Sequence, residues 1–179
     1  MRRIGGALAA VLALLLIFVA ARDFIAPVRK VPELAPADSR ATSILVEKKA
    51  RRLTLFHGDK AIGTFAIALG KSPVGPKEQE GDGRTPEGDY TIDGKNRRSR
   101  FHLALHVSYP DAEDRSRAGT HGVPPGGDIM IHGLPNGLGW LGNWHLLRDW
   151  TNGCIAVTNP QIEEIWALVE TGTLIRIRP

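Results

Sequence analysis

The sequence predicts a mostly-β domain over residues 43–179 with one or two short helices, preceded by a hydrophobic helix at the amino end. Three observations point there. Short apolar runs recur between turn signals rather than in long helical stripes. Twenty glycines and 12 prolines punctuate the 179 residues. One uncharged run of 18 residues, Ile4 to Ala21, stands apart in character from everything that follows it.

That run comes first in the chain. Arg2 and Arg3 precede it, and as a helix it spans roughly 27 Å, close to the ~30 Å hydrocarbon core of a bilayer. No face of it is polar, which argues against a buried globular helix. Residues 1–21 therefore read as a membrane anchor or a signal peptide; Val19-Ala20-Ala21 supplies small residues suited to cleavage. Either places the remainder on the exported side of the cytoplasmic membrane, in periplasm or wall, single-pass anchored or secreted. The basic amino end favours an inside start, while Arg22, Arg29 and Lys30 on the other flank work against it. Residues 22–42, with Pro27, Pro32 and Pro36, read as a Pro/Ala-rich, semi-extended linker.

From Ser43 the elements follow quickly. Ile44-Leu45-Val46 and Leu53 to Phe56 flank a charged turn, and His57-Gly58-Asp59-Lys60 turns the chain into Ala61 to Leu69, a β-meander. Gly81 to Gly88 is a loop entering a strand at Asp89 to Asp93. Phe101, Leu103, Leu105 and Val107 alternate with His102, Ala104, His106 and Ser108, the period of a half-buried strand. Asp128 to His132 and Ile155 to Val157 are further strands. One helix is well signalled: Thr158 or Asn159 caps it, Pro160 suits its first turn, and Ile162, Ile165, Trp166 and Val169 form its apolar stripe. Gly172 ends it, and Thr173 to Arg178 closes the domain as a strand.

Charge excludes one class of function. The net +4 shrinks once residues 1–40, with six Lys/Arg against three Asp/Glu, are set aside. The balanced domain that remains has no footprint for a phosphate backbone, so no nucleic-acid partner is expected. Arg97, Arg98 and Arg100 read as a solvated face. Spacing of His102 and His106 at period two gives no metal-ligand pattern, and no metal is expected.

Cys154 is the single cysteine, so an intrachain disulfide is impossible. It follows Asn152-Gly153, a turn signal, and enters the strand at Ile155, a place where backbone N–H groups stand beside the sulfur. A lone cysteine is commonly an inert buried residue; a nucleophilic one needs a base. His132, ending a strand before Gly133, is the best-placed histidine, with His121 and His145 as rivals. Trp140, Trp144 and Trp150 crowd the segment before the thiol and read as a lid, a stacking surface or ordinary packing.

Ile131-His132-Gly133 followed by Thr151-Asn152-Gly153-Cys154-Ile155 resembles the signature of the YkuD-type L,D-transpeptidases, and Gly83 to Tyr90 is similar to that family's Thr-Pro-x-Gly-x-Tyr loop. The resemblance covers about residues 43–178. It implies a β-sandwich or barrel-like catalytic domain acting on peptidoglycan stem peptides, with Cys154 as nucleophile and His132 as proton donor and acceptor. Gly133 and Gly153 would supply orienting or oxyanion backbone. It implies no cofactor. The acceptor would be an amine on a second stem, giving a 3→3 crosslink, or a protein or related amine. Two departures stand out: Asn152 where the family often has His, and Ala156 where it often has Arg. Arg148, Arg115 and Arg117 are candidate replacements for that cation. The same residues also fit an L,D-carboxypeptidase or amidase, in which water resolves the thioester, and a non-catalytic wall-binding module.

Overall fold

The computed structural model describes residues 31–179. The expected anchor or signal peptide at 1–21 lies outside the described residues, as do residues 22–30 of the stretch read as a linker. The described part of that stretch is tied down. Ala35 N donates to the Ala167 carbonyl and Ala41 N to Leu168, each at 2.8 Å, and Arg40 pairs with Glu170 at 2.9 Å.

Eight strands form one sheet in the order β3-β2-β1-β8-β4-β5-β6-β7. The meander expected at its start is β1 (Ser43–Glu47), β2 (Arg52–His57) and β3 (Lys60–Ala66). The last strand, β8 (Leu174–Arg178), inserts parallel to β1, with Ile44 beside Ile175 and Val46 beside Ile177. All four are buried, because the period-two alternation of both strands sends them to one face. Antiparallel pairing continues through β4 (Gly88–Asn96), β5 (Ala104–Val107) and β6 (Met130–His132), and β7 (Ile155–Ala156) then lies parallel to β6. Beyond β3 the chain returns to the far edge. Ala68 and Ala156 exchange two backbone hydrogen bonds, at 2.9 and 2.8 Å. The sheet therefore curls into a half-barrel whose two edges meet beside Cys154.

The predicted helix is α2 (Asn159–Leu168), with α1 (Ala112–Thr120) before it. Thr158 is the N-cap of α2, Pro160 sits in its first turn, and the Gln161 side chain accepts from Thr158 N at 3.0 Å. Ile162, Ile165, Trp166 and Val169 are all buried, each worth about 1.5–3 kcal/mol relative to exposure. The Lys95 ammonium closes the other end of α2, donating to the Trp166 and Val169 carbonyls at 2.6 and 2.8 Å. Burial pushes that lysine down to about 8.

Two expectations change. The strand read from Phe101 begins only at Ala104, because His102 takes a left-handed conformation (φ +66°). His102 and His106 consequently do not share a strand face. His102 Nε2 meets Glu163 on α2 at 2.6 Å, and His106 Nδ1 meets Asp93 on β4 at 2.5 Å. The tryptophan segment forms 3-10 turns over Gly139–Leu147, broken at Gly142.

Candidate active site

His132 and Cys154 are brought to neighbouring strands. His132 ends β6 and sits in register with Ala156 of β7; Cys154 lies two residues before Ala156, and alternation along a strand puts it on the same side. The thiol S–H donates to the Asp128 carbonyl at 3.4 Å, and Asp128 holds a left-handed conformation (φ +54°) that aims this carbonyl at the sulfur. His132 is buried. Its Nδ1 lies 2.7 Å from the Gly133 carbonyl. A carbonyl only accepts, so Nδ1 carries the proton and Nε2 keeps its lone pair. Phe101 lies against the imidazole, with ring centroids 4.5 Å apart, and Trp150 meets it edge-on at 5.8 Å.

These surroundings set the protonation states. Burial pushes His132 down to about 4, against the pull of the Gly133 carbonyl, with His145 nearby adding to the effect. Burial likewise pushes the Cys154 thiol up, assisted by Asp128 and opposed by the Met130 amide and Lys77. Both groups therefore rest neutral at neutral pH, a thiol and an imidazole carried on neighbouring strands rather than two ions. Such a pair suits proton abstraction during attack, not a preformed thiolate.

Three loops fix the thiol's turn. Thr151 Oγ1 donates to the Cys154 carbonyl at 2.7 Å and accepts from Gly153 N at 3.1 Å. The Gly153 amide, expected as an oxyanion donor, is thus engaged by Thr151. Gly153 has φ +126°, and a β-carbon there would stand 2.6 Å from the Arg84 carbonyl. Arg84 belongs to the Gly83–Tyr90 motif, whose Thr85 Oγ1 accepts from Gly70 N at 3.1 Å. The buried Lys48 ammonium holds this motif from below, bonding the carbonyls of Gly75 and Thr85 and the Glu87 carboxylate at 2.6, 2.9 and 2.7 Å. Asp149 joins the segment before Thr151 to the sheet, accepting from Leu69 N at 2.8 Å and from Arg51 at 2.6 Å.

Gly133 also serves by having no side chain. A β-carbon there would lie 2.8 Å from Asn159 Oδ1 and 3.0 Å from Ile162 Cγ2, so α2 packs directly on the turn after His132. Of the rival histidines, His121 is exposed at the end of α1, and His145 is buried next to His132. Arg117 pairs with Asp114 and Glu113 on α1; Arg148 lines a groove with Trp144, His145 and Trp150.

The family model for YkuD, the L,D-transpeptidase catalytic domain, matches residues 41–177. This chain belongs to that family. Among curated relatives, YafK of Escherichia coli K12, provisionally named an L,D-transpeptidase, is 30% identical over 142 residues, covering 76% of this chain and 50% of YafK. The chain thus spans about half the length of the curated relatives it matches. Solved structures of similar fold include the helical cell shape determining protein Pgp2 from Campylobacter jejuni. Its TM-score is 0.59 at 24% identity, covering 84% of this chain and 51% of Pgp2. Bd1075 from Bdellovibrio bacteriovorus aligns with a TM-score of 0.52 at 23% identity, over 82% of this chain and 51% of its own. The mostly-sheet, curled architecture expected from the sequence is the fold these neighbours share.

Sequence reasoning passed over Thr151, Asp128 and Asp149 as working parts. A threonine three residues before the cysteine, in a turn led by Asn-Gly, is a visible signal for a side-chain bridge. The carbonyl of Asp128 carries none, since its role is set by backbone conformation.

Proposed function

We propose that this chain is a cysteine-dependent L,D-transpeptidase that acts on peptidoglycan stem peptides through a thioester. Support for the reading comes from a neutral His132, its tautomer pinned by Gly133, standing on the strand beside the one that Cys154 enters, within a YkuD catalytic domain. His132 Nε2 takes the thiol proton as sulfur attacks the carbonyl on the L-centre side of an L,D peptide bond. The Cys154 amide, rather than that of Gly153, faces the developing oxyanion in this reading. The C–N bond breaks, the D-amino acid leaves with the proton from His132, and a thioester remains on Cys154. An amine from a second stem, or another amine, then attacks the thioester, and sulfur departs to regain its proton.

In the same reading, residues 1–21 act as an anchor or a signal peptide, so that the domain works on the exported side, where its substrate lies. The test is product analysis by mass spectrometry after incubating the full chain, wild type and Cys154→Ala, with a disaccharide-tetrapeptide. A 3→3 dimer lost in the variant supports the transpeptidase. Tripeptide without dimer makes the protein a hydrolase, and an intact substrate rejects this donor reaction and favours an amidase on protein-linked stems or a wall-binding module.

A further inference from the structure

A second histidine stands beside the thiol, and the steps that build the thioester make no use of it. His106 pairs with Met130 across β5 and β6, and Ala104, two residues earlier, pairs with His132. Directly opposed residues share a sheet face, as do alternate residues along a strand. His106, Met130 and His132 therefore occupy one face. The parallel register of Ile131 with Ile155 sets Cys154 level with Met130 on that same face. The sulfur accordingly sits at the start of β6, held by the Asp128 carbonyl at 3.4 Å and the Met130 amide. Two imidazoles flank it, His132 at the far end of β6 and His106 on β5.

Carboxylates from two elements set the His106 ring. Its Nδ1 donates to Asp93 Oδ1 on β4 at 2.5 Å, which leaves Nε2 to take up a proton. Nε2 faces Asp128, whose Oδ1 lies 3.9 Å away. Asp128 turns its carbonyl to the sulfur and its carboxylate, 92% exposed, to solvent beside His106. Gly94 and Met130, the strand partners of His106, carry no charge.

We infer that His106 is a second catalytic base, which takes the proton of the acceptor ammonium while Asp128 binds its charge and Asp93 steadies the imidazolium. The assignment rests on the thioester reading above and gives the acceptor's chemistry, a primary aliphatic amine that arrives as a cation. An amine of the lysine type titrates near ~10.4, so only about one in 2,500 is a neutral nucleophile at pH 7. The ammonium gives one proton to His106 Nε2, and the free amine attacks the thioester carbonyl. As the new C–N bond forms, His132 takes a second proton from the attacking nitrogen and passes it to sulfur when the C–S bond breaks. His106, only half-buried, returns its proton to water. Aminolysis by a cation thus needs both histidines, whereas an uncharged nucleophile needs His132 alone.

That difference supplies the test. Thioester is formed on the full chain from a stem tetrapeptide, and its release at pH 7 is followed by quenched intact-mass analysis. The nucleophiles are Nα-acetyl-lysine amide, a cation at that pH, and hydroxylamine, which is uncharged. His106→Gln is expected to lower kcat for release by the lysine amide about a hundredfold, the low end for general-base catalysis, and to leave release by hydroxylamine within about twofold. Asp128→Asn, which tolerates the same left-handed backbone, is expected to raise the KM of the lysine amide about two- to fivefold, the size of an exposed ion pair. Equal slowing of both nucleophiles in His106→Gln makes the residue structural and overturns the assignment, as does an unchanged rate with the lysine amide. A wild-type chain that forms no thioester, or loses it to water at every amine concentration, overturns the transpeptidase reading and this assignment with it.

Discussion

Thr151 Oγ1 spans the thiol turn, giving its proton to the Cys154 carbonyl at 2.7 Å while receiving the Gly153 amide at 3.1 Å. One buried hydroxyl thus satisfies both backbone groups flanking the sulfur's turn. Thr151→Val keeps the shape and strands both groups, at a cost of about 1–3 kcal/mol. Turnover is expected to fall roughly ten- to a hundredfold, with Thr151→Ser restoring most of it. Loss of activity that Ser fails to restore would point to the methyl group's packing rather than to the hydroxyl bridge.

The glycines where three loops cross are of a different kind from those on the surface. A β-carbon on Gly70 would stand 2.1 Å from the Gly83 carbonyl and 3.0 Å from Gly153 Cα. Backbone cannot move aside as a side chain does, so Gly70→Ala is expected to cost about 3 kcal/mol, the upper range for overpacking. Gly119, on the exposed face of α1 with nothing within 4 Å of its would-be β-carbon, is the control. Gly119→Ala is expected to stabilise by about 0.5–1 kcal/mol, through the lower helix propensity of glycine. Thermal melts of both variants decide the matter; a tolerated Gly70→Ala would show that the crossing is looser than its geometry.

The extent to which the sequence announced this arrangement differs by element. β1, β8 and α2 were legible because their periodicity is also their burial pattern, as in the Ile44, Val46, Ile175 and Ile177 pairing. α1 lacked such a stripe: only Asp114 and Ala118 are buried in it. Its signal was the reciprocal capping of Asp111 and Asp114, a local pattern without apolar support. His132 and Cys154 were legible as a pair through the resemblance. Their register across β6 and β7 was not, since parallel pairing of short strands leaves no mark on spacing. The 3-10 groove was hidden for the opposite reason, because its apolar residues face solvent or a cavity rather than the core.

The resting thiol is neutral, and its reactivity should reveal this. Burial holds Cys154 above the usual cysteine range, and His132, pushed down to about 4, offers no positive charge near neutrality. Alkylation of the full chain by iodoacetamide is expected to be slow at pH 7 and to accelerate only beyond the ~8.5 of an ordinary thiol. No low-pH plateau is expected, because that requires a thiolate–imidazolium pair. Mass spectrometry of quenched time points measures the profile. A rate already level between pH 5 and 7 would reject the neutral-pair assignment.

The same buried histidine makes the fold sensitive to acid. In the unfolded chain His132 titrates near 6.5; in the native domain burial lowers it to about 4. Between those values the unfolded chain takes up a proton that the folded one refuses, so stability falls as pH drops through this window and the loss is complete below about 4. The displacement corresponds to about 3 kcal/mol at most. His145, lowered by burial as well, acts in the same direction. Chemical denaturation of the full chain at pH 7, 5.5 and 4.5 is therefore expected to show a progressive decrease, and His132→Gln, which cannot take up a proton, should flatten it. Carboxylates paired in the fold, such as Asp82 with Lys77, are protonated at lower pH because their own values are lowered. A decline that begins only below pH 4, and is equal in wild type and His132→Gln, would assign acid sensitivity to those carboxylates and leave the buried imidazole without a role in it.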